Sequence, residues 1–477
     1  MKLSELKLEC DYLELENNFY QIVNPTPLAK PHLISLNKTA ANLIDVDENT
    51  KPQEWVEFLN GTWLAEGSTP FAMCYAGHQF GHFVPRLGDG RAINLGSTND
   101  WHLQLKGAGE TLYSRQGDGR AVTRSSIREY LISEAMHALG IPTTRALAII
   151  GSDEDVARER WEKGAIVLRM SKSWVRFGTF EYFYYANEHS KLEQLADYVI
   201  KQSYSHLDGK QDAYYLMFKE LVQRTAKLLA QWQAYGFNHG VMNTDNMSIA
   251  GLTIDYGPYA FLDDYDFEYV CNHTDREGRY SYGNQPTIAY WNLNMLARAL
   301  SPLISYERLE EALKGFEAIF DEAYTTIMSK KLGLFTSKDD DLSLVEELLQ
   351  VLEDNRVDYT AFFRLLSNYE LSKNELKQLC SNAKELDVWL DKYDKRLKQE
   401  SIDSSARSNK MRQVNPKYVL KNYILQDAIS KAEKHDFTGV EELLKLAQFP
   451  FEEHEEMSHY ASTTPSNYKN IQLSCSS

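Results

Sequence analysis

The sequence predicts an α+β fold with a helical C-terminal extension, and two observations carry this. Short β-like runs bounded by Gly, Asp or Ser crowd between residues 71 and 190, a stretch rich in Gly and Arg. From about residue 191 the apolar residues recur at the helical period instead, broken by a Gly/Asn/Asp-rich stretch at 236–285. With 43% hydrophobic and 25% charged residues, the 477-residue chain has a globular composition, not a disordered one. Its length exceeds what one simple core usually holds, so roughly two or three packed units are expected. The expected divisions are an N-terminal extension over 1–70, a first unit over 71–190, a second over 191–330, and a helical extension over 331–477 that ends in a mobile tail carrying Cys475.

Each element has its local reason. Residues 1–70 mix short helical and loop signals with Pro25, Pro27, Pro31 and Pro52. The β-like runs are Ala92–Leu95, His102–Lys106, Arg145–Ile150 and Ala165–Met170. Between the second and third, Ile127, Tyr130, Leu131, Ala135, Ala138 and Leu139 mark one helical face, with Gly140 as its stop and Pro142 enforcing it. A stripe from Tyr214 to Trp232 predicts a strong helix ending at Gly236. Leu309 to Ile327 forms a further stripe, and Leu342 to Leu352 another, preceded by acids that suit a helix N-terminus. From about Phe449 periodicity is lost, which reads as a loose arm.

Charge and cysteine usage exclude several classes. Lys and Arg number 51 against 68 Asp and Glu, a net charge of −17. Such a surface argues against broad binding to nucleic acid or anionic lipid, although a local basic cleft survives that argument. No apolar run reaches the ~18 residues of a membrane span. The first residues carry acids and no long apolar core, so no signal or transit peptide is expected. Cys10, Cys74, Cys271, Cys380 and Cys475 are odd in number, scattered and without a CxxC pair. That pattern argues against structural zinc or a secreted disulfide framework and fits a reducing cytoplasm.

Chemistry is suggested at three places. Leu87-Gly88-Asp89-Gly90-Arg91-Ala92 can approach phosphate oxygens with turn N–H groups, and Arg91 adds a charged fork, although Gly-Asp-Gly is also a common turn. The same Gly-Asp-Gly-Arg-Ala recurs at Gly117–Ala121. Lys106 ends an apolar run and Glu129 follows inside the amphipathic helix, the order in which kinases hold a strand lysine against nucleotide phosphates. Finally His239-Gly240-Val241-Met242-Asn243-Thr244-Asp245-Asn246 precedes Asp255-Tyr256-Gly257. Asn246 and Asp255 are hard oxygen donors on either side of a hairpin-like segment, suited to Mg²⁺ together with substrate phosphates.

These residues resemble the kinase catalytic loop in its His-Gly-Asp-x-x-x-x-Asn form, with Val241 where the catalytic Asp belongs. A valine cannot accept a proton from a substrate hydroxyl. Together with Tyr75–Phe83, Leu105–Gly109, Tyr113–Val122 and Ser126–Tyr130, the chain closely resembles the selenoprotein O family, whose bacterial members are called YdiU. The end matches too: the likeness implies a late helix beginning at Asn415-Pro416, and Cys475, third from the end, matches the place where eukaryotic relatives carry selenocysteine.

The resemblance implies a protein-kinase-like two-lobe fold, an N-lobe over 71–190 and a C-lobe over 191–330. It implies ATP bound in a flipped orientation and transfer of AMP to protein hydroxyls. Gly88, Gly90, Arg91, Lys106, Asp118, Gly119, Arg169 and Arg176 would bind the nucleotide, the last two gripping a buried γ-phosphate, with Glu129 orienting Lys106. Asn246 and Asp255 would hold Mg²⁺ or Mn²⁺, and Asp245 would act as proton acceptor. The partners implied are nucleotide and protein substrates, with neither nucleic acid nor membrane. The same likeness raises the expectation of a Cys271–Cys475 disulfide tying the tail across the second lobe, against two reduced thiols. Rival readings are UMP transfer from UTP with Mn²⁺, a true γ-phosphate kinase, and a silent nucleotide-binding scaffold.

Overall fold

A computed structural model describes residues 1–47, 49–469, 471 and 473–474. Its strands are β1 (Tyr20–Ile22), β2 (His32–Leu36), β3 (Phe71–Met73), β4 (Gly77–Gln79), β5 (His82–Val84), β6 (Ala92–Thr98), β7 (Trp101–Lys106), β8 (Ala121–Val122), β9 (Arg145–Ala157), β10 (Trp161–Ser171), β11 (Phe237–Asn238) and β12 (Ala260–Phe261). The main sheet runs β1-β3-β6-β7-β10-β9-β2, with β8 also on β10, and its pairings are antiparallel. The pairs β4–β5 and β11–β12 stand apart as small sheets. The fold is thus mixed helix and antiparallel sheet, and the four expected β-like runs lie inside β6, β7, β9 and β10.

Strand alternation sorts the core onto two faces. Ile166 and Leu168 of β10 join Trp55, Phe58 and Leu59 on one side, while Val167 joins Ile127 and Leu131 on the other. Residues 1–70, expected as an extension, therefore cover one sheet face and also supply both outer strands, β1 and β2. The other face carries the helix Thr123–Ala138, which ends where Gly140 turns to a φ of 75°. On its far side that helix packs against Thr438–Gln448 from the end of the chain.

The second half is helical as expected, with differences in detail. Ala213–Ala234 ends at Gly236, φ 68°. The stripe from Leu309 to Ile327 belongs to two helices, Tyr306–Lys314 and Phe316–Lys331. They part at Gly315, whose helix propensity is poor. Asp341–Asp354 forms as expected. Asn415-Pro416 begins no helix; the next helix is Asn422–Ala432. Asn415 is fully buried, and its Nδ2 donates to Lys331 O at 2.9 Å and Ser367 Oγ at 3.0 Å. The following proline also biases it towards extended backbone. Nor do residues 247–254 make a hairpin. Ser248 and Thr253 form single bridges to Arg176 and Thr143, so this loop is held by other segments.

The arm beyond Phe449, expected to be loose, is packed despite its lack of periodicity. Tyr460 and Leu473 are buried, and Lys469 pairs with Asp264 at 2.6 Å. Leu473 forms a parallel bridge with Asn272, beside Cys271. Cys475 lies outside the described residues, and so does the expected Cys271–Cys475 pairing. Among the described residues no helix is long and apolar enough to cross a membrane.

Candidate active site

A cleft of about 430 Å³ lies between the main sheet and the loops after β11. Gly88, Gly90, Arg91, Lys106, Asp118, Gly119, Arg169, Arg176, Asp245, Asn246 and Asp255 all line it. Of the residues selected from sequence only Glu129 does not; it sits behind Lys106, 2% exposed. Seven cations (Arg91, Lys106, Arg115, Arg120, Arg158, Arg169, Arg176) and four carboxylates (Asp89, Asp118, Asp245, Asp255) line this cleft. On a chain of charge −17, that local excess favours an anionic ligand.

The two Gly-Asp-Gly-Arg turns form one wall. A Cβ on Gly88 would stand 2.3 Å from the Tyr113 ring, and one on Gly119 2.1 Å from the Gly109 backbone. Both have positive φ, so only glycine fits. Thr111 Oγ1 donates to Asp89 O at 2.8 Å, which ties the first turn to the loop leading into the second. Asp118 accepts from Arg158 at 2.8 and 2.9 Å and from Arg120 N at 2.9 Å. Its carboxylate is thereby engaged in shaping its own turn.

The floor is a chain of ion pairs. Lys106 Nζ donates to Glu129 Oε2 at 2.6 Å, Arg169 donates to Glu129 Oε1 at 2.8 Å and to Asp255 Oδ1 at 2.6 Å, and Arg176 reaches Asp255 Oδ2. Both arginines are 2% exposed, with their guanidinium groups over Trp174 and Tyr75. Burial alone would raise the Asp255 carboxyl, but Arg176, Arg169 and Lys106 overcome it and hold the group well below the usual range. The same contest lowers Glu129. Burial pushes Lys106 down to about 8 against the pull of Glu129.

Asp245 has the opposite environment. Burial drives its carboxyl up to about 7, only partly opposed by Arg176. Gln79 Nε2 donates to its Oδ2 at 3.3 Å, and Oδ1 is buried without a hydrogen-bond partner. A Cβ on Gly77 would lie 2.4 Å from Oδ1, so the β4–β5 hairpin is pressed onto this carboxyl. The neighbouring Thr244 hydroxyl accepts from His78 N at 2.7 Å and donates to Glu181, whose other oxygen meets His78 Nδ1 at 2.7 Å. Burial keeps His239 low, and its Nε2 donates to Ile254 O at 2.9 Å, joining the loop before Asp245 to the segment before Asp255. Val241 lines the cleft and offers no proton acceptor.

A metal at this place would find hard donors. Asn246 Nδ2 is used on Val241 O at 3.0 Å, leaving its amide oxygen as the donor, beside the Asp255 carboxylate and the unpartnered Asp245 Oδ1. Among the described residues no cluster of three His, Cys, Asp or Glu is arranged for metal. The set therefore suits an ion completed by phosphate and water oxygens, as Mg²⁺ is.

Tyr75, Gln79, Asp89, Arg115, Arg120 and Arg158 also line the cleft, although sequence reasoning gave them no role. Gln79 contacts Asp245 across 166 residues and His78 contacts Glu181 across 103, so no local spacing marks them. The stretch Tyr75–Phe83 was visible as a matching segment, without a chemical pattern of its own.

Residues 2–448 match the family model described as Protein adenylyltransferase SelO. The chain is 47% identical over its whole length to Protein nucleotidyltransferase YdiU of Thioalkalivibrio sulfidiphilus, all of which is covered. It is 46% identical to the protein of that name from Pseudomonas fluorescens and 44% identical to that from Pseudomonas aeruginosa, with 100% of this chain and 99% of each relative covered.

Proposed function

The chain belongs to the SelO family of protein adenylyltransferases, and from that premise we propose how its cleft transfers a nucleotide to proteins. The activity is protein nucleotidyl transfer, with a nucleotide and proteins as substrates. The finer reading is AMP from ATP, delivered to Ser, Thr or Tyr hydroxyls on a protein-kinase-like two-lobe fold whose N-lobe spans 71–190 and C-lobe 191–330. A cytoplasmic setting is part of the same proposal.

One observation carries it: Arg169 and Arg176, both buried at the cleft floor, converge on a single carboxylate. Two buried cations fit a terminal phosphate better than a nucleoside. ATP placed with its γ-phosphate there would leave its α-phosphate to the rest of the cleft, whose lining includes Asp245. Asp255 would then exchange the arginines for a cation, and the arginines would exchange Asp255 for phosphate, leaving no buried charge unpaired. Lys106, held by Glu129, and the turns at Gly88, Gly90, Arg91, Asp118 and Gly119 would position the phosphates and nucleoside. Mg²⁺ or Mn²⁺ held by Asn246 and Asp255 would supply charge neutralisation of the phosphate oxygens.

Asp245 would take the acceptor hydroxyl proton as the new O–Pα bond forms and the Pα–O bond to pyrophosphate breaks. Its pKa near 7 suits a base that must be free at neutral pH. Val241 explains why a γ-phosphate kinase is not the reading. The test is incubation of the enzyme and an extract with α-labelled ATP, γ-labelled ATP and α-labelled UTP. The α-label of ATP is expected on protein and the γ-label is not; γ-label transfer, or a strong preference for UTP, would overturn AMP transfer. A Cys271–Cys475 disulfide remains part of the proposal, supported by the Leu473–Asn272 bridge; non-reducing peptide mapping of oxidised protein tests it.

A further inference from the structure

Arg279 is a cation whose charge the described residues do not answer. Two acids precede it closely: Asp275 uses its two oxygens on the backbone N–H groups of Arg279 and Tyr280, at 3.0 and 2.7 Å, and the exposed Glu277 forms no ion pair with it. Among the described residues no Asp or Glu forms an ion pair with the guanidinium. Its Nε is buried without a hydrogen-bond partner. The group lies 4.8 Å from the Trp291 ring centre and 5.8 Å from that of Tyr280. A Cβ on Gly81 would stand 3.4 Å from its central carbon, so the turn of the β4–β5 hairpin lies flat against it. By contrast, the buried Arg145 and Arg396 each reach both oxygens of a carboxylate. A half-buried guanidinium without a counter-charge is costly unless a ligand supplies one.

Its position says what that ligand is. The hairpin touching Arg279 through Gly81 touches Asp245 through Gly77 and Gln79. A second link fixes the spacing: Tyr280 donates its hydroxyl to Asn243 Oδ1 at 2.6 Å and accepts from Phe80 N at 2.9 Å. Gly77–Gln79 is strand and Phe80–Gly81 the turn that follows, so the two contacts lie no more than about 13 Å apart at ~3.3 Å per residue. An extended peptide with its hydroxyl at Asp245 covers that distance within about four residues. Phe80, 37% exposed, and Trp291 offer apolar surface for the stem of a long acidic side chain.

We propose that Arg279 docks the protein being modified by binding a Glu or Asp side chain within about four residues of the acceptor hydroxyl. This deepens the adenylyl-transfer reading and rests on its placing the acceptor at Asp245. On a chain of net charge −17, one unanswered cation beside the acceptor end selects both register and direction of an acidic segment.

The test is fluorescence anisotropy of the full chain with a labelled Ser peptide flanked by Glu and with its Gln counterpart. The Glu peptide is expected to bind about tenfold more tightly, the scale of a charged hydrogen-bonded pair. Arg279→Gln should erase the preference, and Arg279→Lys should restore part of it, which loss of folding would not do. In transfer assays Arg279→Gln should raise KM for the Glu peptide about tenfold with KM for ATP unchanged. Equal or absent binding of the two peptides, or a preference that survives Arg279→Gln, overturns the proposal. A preserved binding preference without α-label transfer to any peptide overturns the adenylyl-transfer reading and leaves the docking role standing.

Discussion

At the scale of single residues, the cleft sets two carboxylates apart. Asp255 faces three cations and stays ionised, whereas Asp245 is buried near one and is held up to about 7. Such divergence is what separates a charge-holding group from a proton-accepting one. Transfer is therefore expected to rise as pH passes through about 7, and Asp245→Asn should lower kcat roughly 10²–10⁴-fold and abolish that step in the profile. Stability moves the other way. Between the unfolded carboxyl value and about 7 the folded state holds the Asp245 proton and the unfolded state does not, so this group costs stability as pH rises. Without nucleotide and metal, Asp245→Asn should be the more stable form above pH 7 by at most about 4 kcal/mol, with the difference vanishing below pH ~4 in urea titrations. Asp255 has the reverse sign. Its stabilisation is present above the unfolded value and is lost as pH falls through its depressed folded value. Asp255→Ala should remove activity and cost about 3–5 kcal/mol by leaving Arg169 and Arg176 without their shared partner. Thermal melts of that variant should show partial recovery with ATP alone, whose phosphates can answer both arginines.

At the scale of elements, the β4–β5 hairpin decides where Asp245 points. Gly77 is at contact distance from the carboxyl, and Gln79 holds its other oxygen. Gly77→Ala would drive a methyl group into Oδ1 while leaving the main sheet untouched. A loss of about 100-fold in kcat with Tm nearly unchanged is expected, since a displacement of about 1 Å is enough for such an effect. The elements themselves were legible in uneven measure. The helix around Glu129 and the strand ending in Lys106 could be read from periodicity, and their pairing from the order of the motif. The hairpin could not, because its five or so key contacts join residues more than 100 positions apart, and its strands are three residues each. Gly315 and Asn415 show the same limit: apolar spacing runs across a glycine break, and the late helix that the family likeness implied at Asn415 gives way to an amide bonded to Lys331 and Ser367.

At the scale of the molecule, the chain's two ends brace the sheet and its helix. Residues 1–70 cover one face, and the helix Thr438–Gln448 covers the outer side of Thr123–Ala138, the helix that carries Glu129. Arg128, beside Glu129, donates to Asn422 Oδ1 at 3.1 Å and to Tyr259 O at 2.8 Å, so one buried side chain joins that helix to the C-terminal extension and to the segment after Asp255. A chain ending at Val414 should expose the apolar outer face of Thr123–Ala138. It is expected to be poorly soluble, and any soluble fraction should lose hydrogen-exchange protection in that helix first. Retained protection there would show that the C-terminal helices do not support it.

What the sequence determined by itself was local: which of the longer stretches are strands, which face of several helices is apolar, which glycines turn, and in what order Lys106, Glu129, Asn246 and Asp255 follow one another. Those features depend on neighbours a few positions apart, where backbone geometry links spacing directly to direction. The tertiary structure alone decided that Arg169 and Arg176 share Asp255, that a distant hairpin presses on Asp245, that the first seventy residues complete the sheet, and that Arg279 is left without a counter-charge. Burial and long-range pairing set the electrostatics of each of these groups, and neither is written in the residues beside them.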